Sequence, residues 1–238
     1  MGVMNRGSYA EVTRKYRTIA MHLRLPPRED AREGLRAWSE DFTHGTFLLE
    51  VIEATLEIGL AYDDDVSDFA LIMDQGNSAY RVSKDYRSLE MRVANGVRAS
   101  VMEAIISAPT AAGDHLTTAW NAAYGRTPDP VRSYSESIKA AEYALAPVIS
   151  PTSTRTSLGT MIHNLTDKPE KWSFAIQAKG DSIDVVVAMM RSLWHGQSSR
   201  HGGETSRDES PEEARAAVHL SAALVQFGIS GALRRADS

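Results

Sequence analysis

Two arginines and two histidines lie close together near the end of the chain, in the stretch RSLWHGQSSRHGG. They are Arg191, His195, Arg200 and His201. The planar guanidinium of arginine binds phosphate through several donors, and imidazole transfers protons near neutral pH. Together these groups are sufficient for metal-independent cleavage of RNA, in which a histidine removes the proton of the 2′-hydroxyl and an arginine stabilises the pentavalent phosphate. These four residues are therefore the candidate catalytic residues.

The segment that leads into this site is predicted to be an α-helix. Its apolar side chains recur every three or four positions, which is the spacing of one helix face. They are Ile183, Val186, Val187, Met190 and Trp194. Arg191 and His195 are four positions apart, so they become neighbours on the flank of that face. Gly196 is predicted to end the helix, which keeps the second Arg–His pair close to a helix C-terminus, where cations are stabilised.

A purely structural role would explain the same residues. Arg191 would then form an ion pair with Glu142, which is predicted to support the site from an earlier helix. His195 would cap exposed carbonyl groups at the helix end, and His201 would anchor the loop. The catalytic and the structural interpretations both remain open at the level of the sequence.

The remainder of the chain is predicted to be mainly α-helical, with one exception in its N-terminal half. Short β-like runs at Tyr80–Val82 and Leu89–Val93 flank the turn sequence SKDYRS, which predicts a small β-hairpin. The segment GRTPDP at residues 125–130 interrupts the helical pattern with a glycine and two prolines. We therefore expect two regions, residues 1–125 and residues 126–238, of which the first is a candidate sensor or regulatory region.

Four amphipathic helices are predicted after that boundary. The first opens at Asp129–Pro130, an N-cap residue followed by proline, and is expected to break at Pro147. The last opens with the capping-box sequence Ser210–Glu213. Four such helices in one region predict an α-helical bundle. The last helix also carries apolar side chains beyond its main stripe, which predicts a homodimer. These side chains are Leu220, Leu224 and Phe227.

Composition excludes several classes of function. The net charge of -5 means that RNA contact requires a local basic patch, and the absence of cysteine excludes disulfides, cysteine nucleophiles and thiolate zinc sites. No phosphate-binding glycine loop, dinucleotide fingerprint or G-x-S-x-G element is present, and the histidines lack the spacing of metal ligands. We therefore expect neither a cofactor nor a metal.

Membrane attachment is not expected either. The opening sequence MGVMNRGSYAEVTRKYR lacks the apolar core of a signal peptide, and the longest apolar run, VVVAMM, is too short to span a bilayer. These features predict a cytoplasmic protein.

The residues from Ala119 to Phe227 resemble a known family. The resemblance is carried by AWNAAYGRTPDPVRSYSESIKAAEYALAPVISPTSTRTSLGTMIHNL, then LWHGQSSRHGG with its RHG triplet, then EEARAAVHLSAALVQF. These stretches, in this order, are similar to the C-terminal region of bacterial abortive-infection proteins, which belong to the HEPN group of helical bundles. The resemblance implies a HEPN-like four-helix bundle for residues 126–238.

The resemblance also implies a function. Many HEPN proteins are homodimeric, metal-independent ribonucleases of toxins and antiphage defence, and their active site pairs an arginine with a histidine that follows after four to six intervening residues. By this resemblance the chain is an antiphage or toxin-type endoribonuclease in which Arg191 and Arg200 hold phosphate and His195 or His201 moves the proton. Here only three residues separate Arg191 from His195, which differs from the family spacing. The alternative is a non-catalytic HEPN-like binding or dimerisation module.

Overall fold

The computed structural model describes residues 9–40, 45–153, 156–177, 183–199 and 206–236. Within these residues the chain is mainly helical and carries two short antiparallel strand pairs, so the predicted mainly α class is confirmed. None of the described helices combines the length and the apolar composition needed to cross a bilayer. Two compact units adjoin along the chain between Arg92 and Val93, and the boundary predicted at residues 125–130 lies inside the second unit.

The described residues of the N-terminal unit form four helices and a hairpin. Its elements are α1 (Tyr9–His22), α2 (Ala31–Glu40), α3 (Gly45–Glu57), α4 (Asp63–Gln75), β1 (Tyr80–Val82) and β2 (Leu89–Met91). The predicted hairpin is confirmed, since β1 pairs antiparallel with β2 and Arg81 lies opposite Glu90. These two side chains form an ion pair, with 2.8 Å between Arg81 Nε and Glu90 Oε1.

A small apolar core holds this hairpin against the helices. It is formed by buried side chains from α3, α4 and both strands, namely Leu56, Val66, Met73, Val82 and Leu89. The hairpin has only three residues in each strand, so this packing, and not strand length, stabilises it.

The C-terminal unit contains six further helices. Its elements are α5 (Asn95–Ser107), α6 (Thr110–Tyr124), α7 (Pro130–Ile149), α8 (Leu158–Asp167), a 3₁₀ turn (Pro169–Lys171), β3 (Trp172–Phe174), α9 (Asp184–His195), α10 (Pro211–Ile229) and β4 (Leu233–Arg235). The four helices predicted after residue 125 correspond to α7, α8, α9 and α10. Helix α6 packs along α7 and α10, so it belongs to the same unit as those helices.

Local capping explains where α7 and α10 begin. The Asp129 side chain accepts a hydrogen bond from the backbone N–H of Arg132 at 2.9 Å, as the sequence predicts. The predicted capping box of α10 is also present, between Ser210 and Glu213. The predicted break at Pro147 is wrong, because α7 continues through it to Ile149. Pro147 is exposed and lies in the last turn, so the hydrogen bond that it removes is near the end of α7 and only two helical residues follow it.

Small side chains allow α7 and α10 to pack closely. The Ser221 hydroxyl of α10 donates to the carbonyl of Ser137 in α7 at 2.6 Å, and both residues are fully buried. Further along the same contact, a Cβ at Gly228 would lie 2.9 Å from the carbonyl oxygen of Ala144. The backbones of α7 and α10 therefore lie so close together that only small residues fit at this contact.

The main core lies between α7, α8, α9 and α10, and the second strand pair covers part of it. β3 pairs antiparallel with β4, and Phe174 and Leu233 are buried in the core. Phe227 of α10 packs edge-on against Phe174, with 4.9 Å between ring centroids. Leu224 is fully buried. Two of the three apolar residues that predicted a homodimer are thus covered by the chain itself, which removes that argument for a dimer.

Candidate functional site

Arg191 and His195 lie in the last two turns of α9, and both side chains are exposed. The opposite face of α9 is buried through Met190 and Leu193. Trp194 packs over Gly159 of α8, where a Cβ would come 2.9 Å from the indole ring. These contacts orient α9 so that Arg191 and His195 point outward, one turn apart. We refer to these two side chains as the α9 Arg–His pair.

The α9 Arg–His pair has no hydrogen bond or ion pair with another described residue. Glu142, the carboxylate expected to support the site, accepts a hydrogen bond from the backbone N–H of Leu158 at 2.7 Å, and so it caps the start of α8. Arg200 and His201 lie outside the described residues. The structure therefore describes one half of the predicted constellation.

The phenol of Tyr134 contacts the C-terminal end of α9. Its hydroxyl donates to the carbonyl of Ser192 at 3.3 Å. A Cβ at Gly196 would overlap that hydroxyl, so glycine is needed where α9 ends. Burial raises the pKa of Tyr134, and the nearby carboxylates of Glu209 and Glu213 raise it further. The phenol therefore stays protonated and remains a donor at neutral pH.

Carboxylates anchor the chain on the other side of the loop that follows α9. Glu209 is almost fully buried, and its Oε1 accepts a hydrogen bond from the backbone N–H of Ser199 at 2.8 Å. Arg207 binds both carboxylate oxygens of Glu213, at 2.6 and 2.8 Å. The charge of Arg207 is thus neutralised within the chain by Glu213, whereas the second carboxylate oxygen of Glu209 is buried and has no hydrogen-bond partner among the described residues.

A second Arg–His pair with the same spacing lies on α10, and the sequence analysis missed it. His219 Nε2 is 2.7 Å from the Tyr124 hydroxyl, and Trp120 stacks on Tyr124 with 4.2 Å between ring centroids. Burial lowers the pKa of His219 and raises the pKa of Tyr124. Arg215, one turn before His219, has a buried Nε with no hydrogen-bond partner. The four-residue spacing of Arg215 and His219, identical to that of Arg191 and His195, could have indicated this pair from the sequence. In the structure the pair faces α6 and is partly buried.

A third histidine, on α6, is oriented by a carboxylate. His115 Nδ1 is 2.6 Å from Glu136 Oε2, and the imidazole stacks on Tyr143 at 5.1 Å between centroids. Lys139 donates to the other oxygen of Glu136 at 2.8 Å. Burial alone would raise the pKa of the Glu136 carboxyl, but the hydrogen bonds from Lys139 and His115 outweigh it and lower the pKa. This pairing joins α6 to α7, so sequence spacing alone carried no signal for it.

No protein-family model matches the chain, and comparisons with curated proteins and with solved structures find no match. Across the described residues, no three histidine, aspartate or glutamate side chains come together as metal ligands would. The chemistry of the site must therefore be argued from its own geometry.

An exposed guanidinium and an exposed imidazole, one helical turn apart, can contact one phosphate together. The guanidinium offers parallel N–H donors, and the imidazole offers either a donor or an acceptor. His219 and His115 differ in this respect, since each already holds a partner inside the fold. Of the described histidines near an arginine, His195 is thus the one best placed to meet a phosphate in solution.

Proposed function

We propose that the protein binds RNA through the α9 Arg–His pair and cleaves it without a metal. The observation that carries this proposal is the exposure of Arg191 and His195 side by side at the end of α9, with no described carboxylate competing for them. An unpaired cation at a helix end favours a phosphate ligand, and a neighbouring imidazole supplies acid–base catalysis. The HEPN-like bundle and the antiphage or toxin-type role are part of this proposal, and they are supported by the sequence resemblance alone.

In the proposed reaction, His195 removes the proton of the 2′-hydroxyl and that oxygen attacks the adjacent phosphorus. Arg191 stabilises the negative charge that develops on the phosphoryl oxygens. The bond from phosphorus to the 5′-oxygen breaks, and His201 gives that oxygen a proton. The products are a 2′,3′-cyclic phosphate and a 5′-hydroxyl, and no redox step or cofactor is needed.

The test is RNA cleavage by the purified protein in EDTA, with His195→Ala, Arg191→Ala and His201→Ala beside the unmodified chain. Loss of a general acid or base costs about 10²–10⁴-fold in rate. Matched controls are His163→Ala on α8 and Arg132→Ala on α7, whose side chains are also exposed. We expect cleavage to fall only in the first three variants. Equal cleavage in all six proteins, or none in any, would contradict the proposal.

A non-catalytic binding module is the second candidate. It is favoured by one observation, that no described carboxylate or carbonyl orients the His195 ring as Glu136 orients His115. Such a module would bind RNA with an affinity that Arg191→Ala weakens, yet would leave the RNA intact. Filter binding in parallel with the cleavage assay separates the two candidates.

The proposed function does not depend on the predicted homodimer. Its sequence argument rested on Leu220, Leu224 and Phe227, and these side chains are buried or partly buried against the chain's own core.

A further inference from the structure

The N-terminal unit contains a cavity of about 580 Å³ that the proposed function does not use. Its walls include three aromatic side chains, Tyr16, Trp38 and Phe47, together with Ala37 and Arg28. Ligand pockets in proteins commonly measure about 300–1,000 Å³ and combine apolar walls with a few polar groups. The cavity has both the size and the composition of a small-molecule site.

The aromatic rings form walls at different angles. The Tyr16 and Trp38 centroids are 4.6 Å apart and the rings are inclined by 41°, whereas Trp38 and Phe47 meet nearly edge to face at 6.3 Å and 78°. Tyr16 is almost fully buried and lies deepest, while Trp38 and Phe47 are half-buried. Aromatic walls of this kind favour stacked and edge-on contacts with a flat ring.

Glycine at position 34 allows this arrangement. A Cβ at Gly34 of α2 would overlap the Tyr16 ring, so only glycine lets α2 approach the phenol of α1 this closely. The Tyr16 hydroxyl then accepts a hydrogen bond from the backbone N–H of Arg28 at 2.9 Å. Arg28 is thereby fixed at the cavity through its main chain.

The side chain of Arg28 supplies a positive charge at the cavity. It is exposed and makes no hydrogen bond or ion pair with another described residue. The adjacent Glu29 forms no ion pair with it, and Asp30, which directly precedes α2, is already occupied. It accepts hydrogen bonds from the backbone N–H groups of Arg32 and Glu33 at 2.7 and 3.1 Å, and from the Tyr9 hydroxyl at 3.1 Å. The Arg28 guanidinium is therefore available to a ligand anion.

We propose that this cavity binds a small planar aromatic molecule that carries an anionic group. The ring lies against Trp38 and Phe47, and the anion contacts Arg28. Nucleoside monophosphates and aromatic carboxylates share this chemistry. The site lies in the N-terminal unit and is independent of RNA cleavage at α9, so either proposal can fail without the other.

Calorimetric titration of the full chain with adenosine 5′-monophosphate and with indole-3-acetate tests the site. Adenosine and indole serve as matched neutral probes. We expect saturable binding of at least one anion, about 10-fold tighter than its neutral partner, because the charge-assisted hydrogen bond to Arg28 is lost in the neutral probe. The tighter of the two anions identifies the source of the ligand.

Two variants locate the binding. Arg28→Gln should weaken the anion about 10-fold and leave the neutral probe unchanged, and Ala37→Phe should abolish binding by filling the cavity. Arg17→Gln, at another exposed arginine on α1, is the matched control and should bind as the unmodified chain does. Arg28 is exposed, so its replacement leaves the fold intact. Failure of both anions to bind at millimolar concentration, or undiminished binding by both variants, would overturn the proposal.

Discussion

Glu213 performs two tasks in the first turn of α10. Its Oε2 accepts a hydrogen bond from the backbone N–H of Ser210 at 2.8 Å, which completes the capping box, and its carboxylate binds Arg207. The Arg207 guanidinium, with the Ser210 N–H next in importance, lowers the pKa of Glu213 to about 2. The carboxylate therefore stays ionised well into the acid range.

We predict that Glu213→Ala lowers the free energy of unfolding by about 1 kcal/mol at pH 7, because α10 loses a capping partner and an exposed ion pair adds little. The unfolded chain binds the proton near pH 4.5, and the folded chain binds it only near 2. The stabilisation is thus complete above about pH 4.5 and is lost as the pH falls towards 2. The difference between variant and unmodified chain should shrink over that interval, which urea midpoints at pH 7 and at pH 3 would measure.

Glu212 provides the control for this effect. It is exposed in the same turn and carries the same charge near the helix N-terminus, but it is not part of the capping box. We expect Glu212→Ala to change the stability by less than about 0.5 kcal/mol. An equal loss in both variants, or a difference that does not depend on pH, would show that capping by Glu213 does not stabilise α10.

Three histidines show how the surroundings assign different roles to one side chain. His195 is exposed at a helix end, His115 is held by the carboxylate of Glu136, and His219 bonds to the phenol of Tyr124. Only the first of these can meet a large ligand such as RNA without displacing an internal partner. Residue type alone could not separate them, because the difference arises from the packing of α6 against α7 and α10.

At the scale of the elements, the close contact of α7 and α10 determines the shape of the C-terminal unit. We predict that Gly228→Ala destabilises the chain by about 1–3 kcal/mol, because the added methyl would meet the backbone carbonyl of Ala144, which cannot move alone. This cost exceeds the gain of up to about 1 kcal/mol that alanine brings to a helix. Denaturant midpoints would measure the change.

Gly96, at the start of α5, is a control position at which the same substitution is expected to stabilise the chain. A Cβ there meets nothing within 4 Å, so Gly96→Ala should leave the packing unchanged and stabilise the chain by up to about 1 kcal/mol. If both substitutions changed the stability in the same direction, the close contact of α7 and α10 would not be the cause.

Local signals in the sequence predicted the starts of elements well, and the contacts between elements poorly. The N-cap at Asp129, the capping box at Ser210 and the strand at Tyr80–Val82 are each encoded by neighbouring residues, and all three are confirmed. The pairing of β3 with β4 was missed, because strands of three residues have too little periodicity and their partner lies far along the chain. The sequence also did not show that α7 continues past Pro147, because this depends on where the proline lies in the helix. Pro147 lies in the last turn of α7.

The same difference between local signals and contacts between elements applies to the candidate site. The four-residue spacing of Arg191 and His195 was enough to expect them on one helix face, and the structure has them one turn apart in α9. The role of Glu142 was not predictable in this way, because it depends on where α8 begins relative to α7. The cavity at Trp38 was not found from the sequence either, since its walls come from α1, α2 and α3 and from the segment that joins α1 to α2.

At the scale of the whole molecule, the two units divide the chain near Val93, and α6 belongs with the helices that follow it. Leu116 and Trp120 of α6 are buried, and the Ser133 hydroxyl of α7 donates to the carbonyl of Ala119 at 2.9 Å. A fragment that starts at residue 126 would expose this surface of α7 and α10.

We predict that a fragment of residues 93–238 folds cooperatively, with the helical circular dichroism expected of α5 to α10. A fragment of residues 126–238, which begins at the boundary predicted from the sequence, should unfold at a lower urea concentration or associate, because α7 and α10 lose the contacts of Leu116 and Trp120. Equilibrium unfolding combined with light scattering makes the comparison. Equal midpoints and equal solubility for the two fragments would contradict this division of the chain.

The pairing of β3 with β4 joins the two ends of the segment that contains α9 and α10. We call this strand pair the clasp. The backbone N–H of Ala175 donates to the carbonyl of Ala232 at 2.8 Å, and that of Ala236 donates to the carbonyl of Lys171 at 2.9 Å. The chain that leaves this clasp runs through α9 and α10 before it returns. These hydrogen bonds break together when β4 leaves β3, so the amide protons of the clasp are expected to exchange with solvent as one cooperative unit.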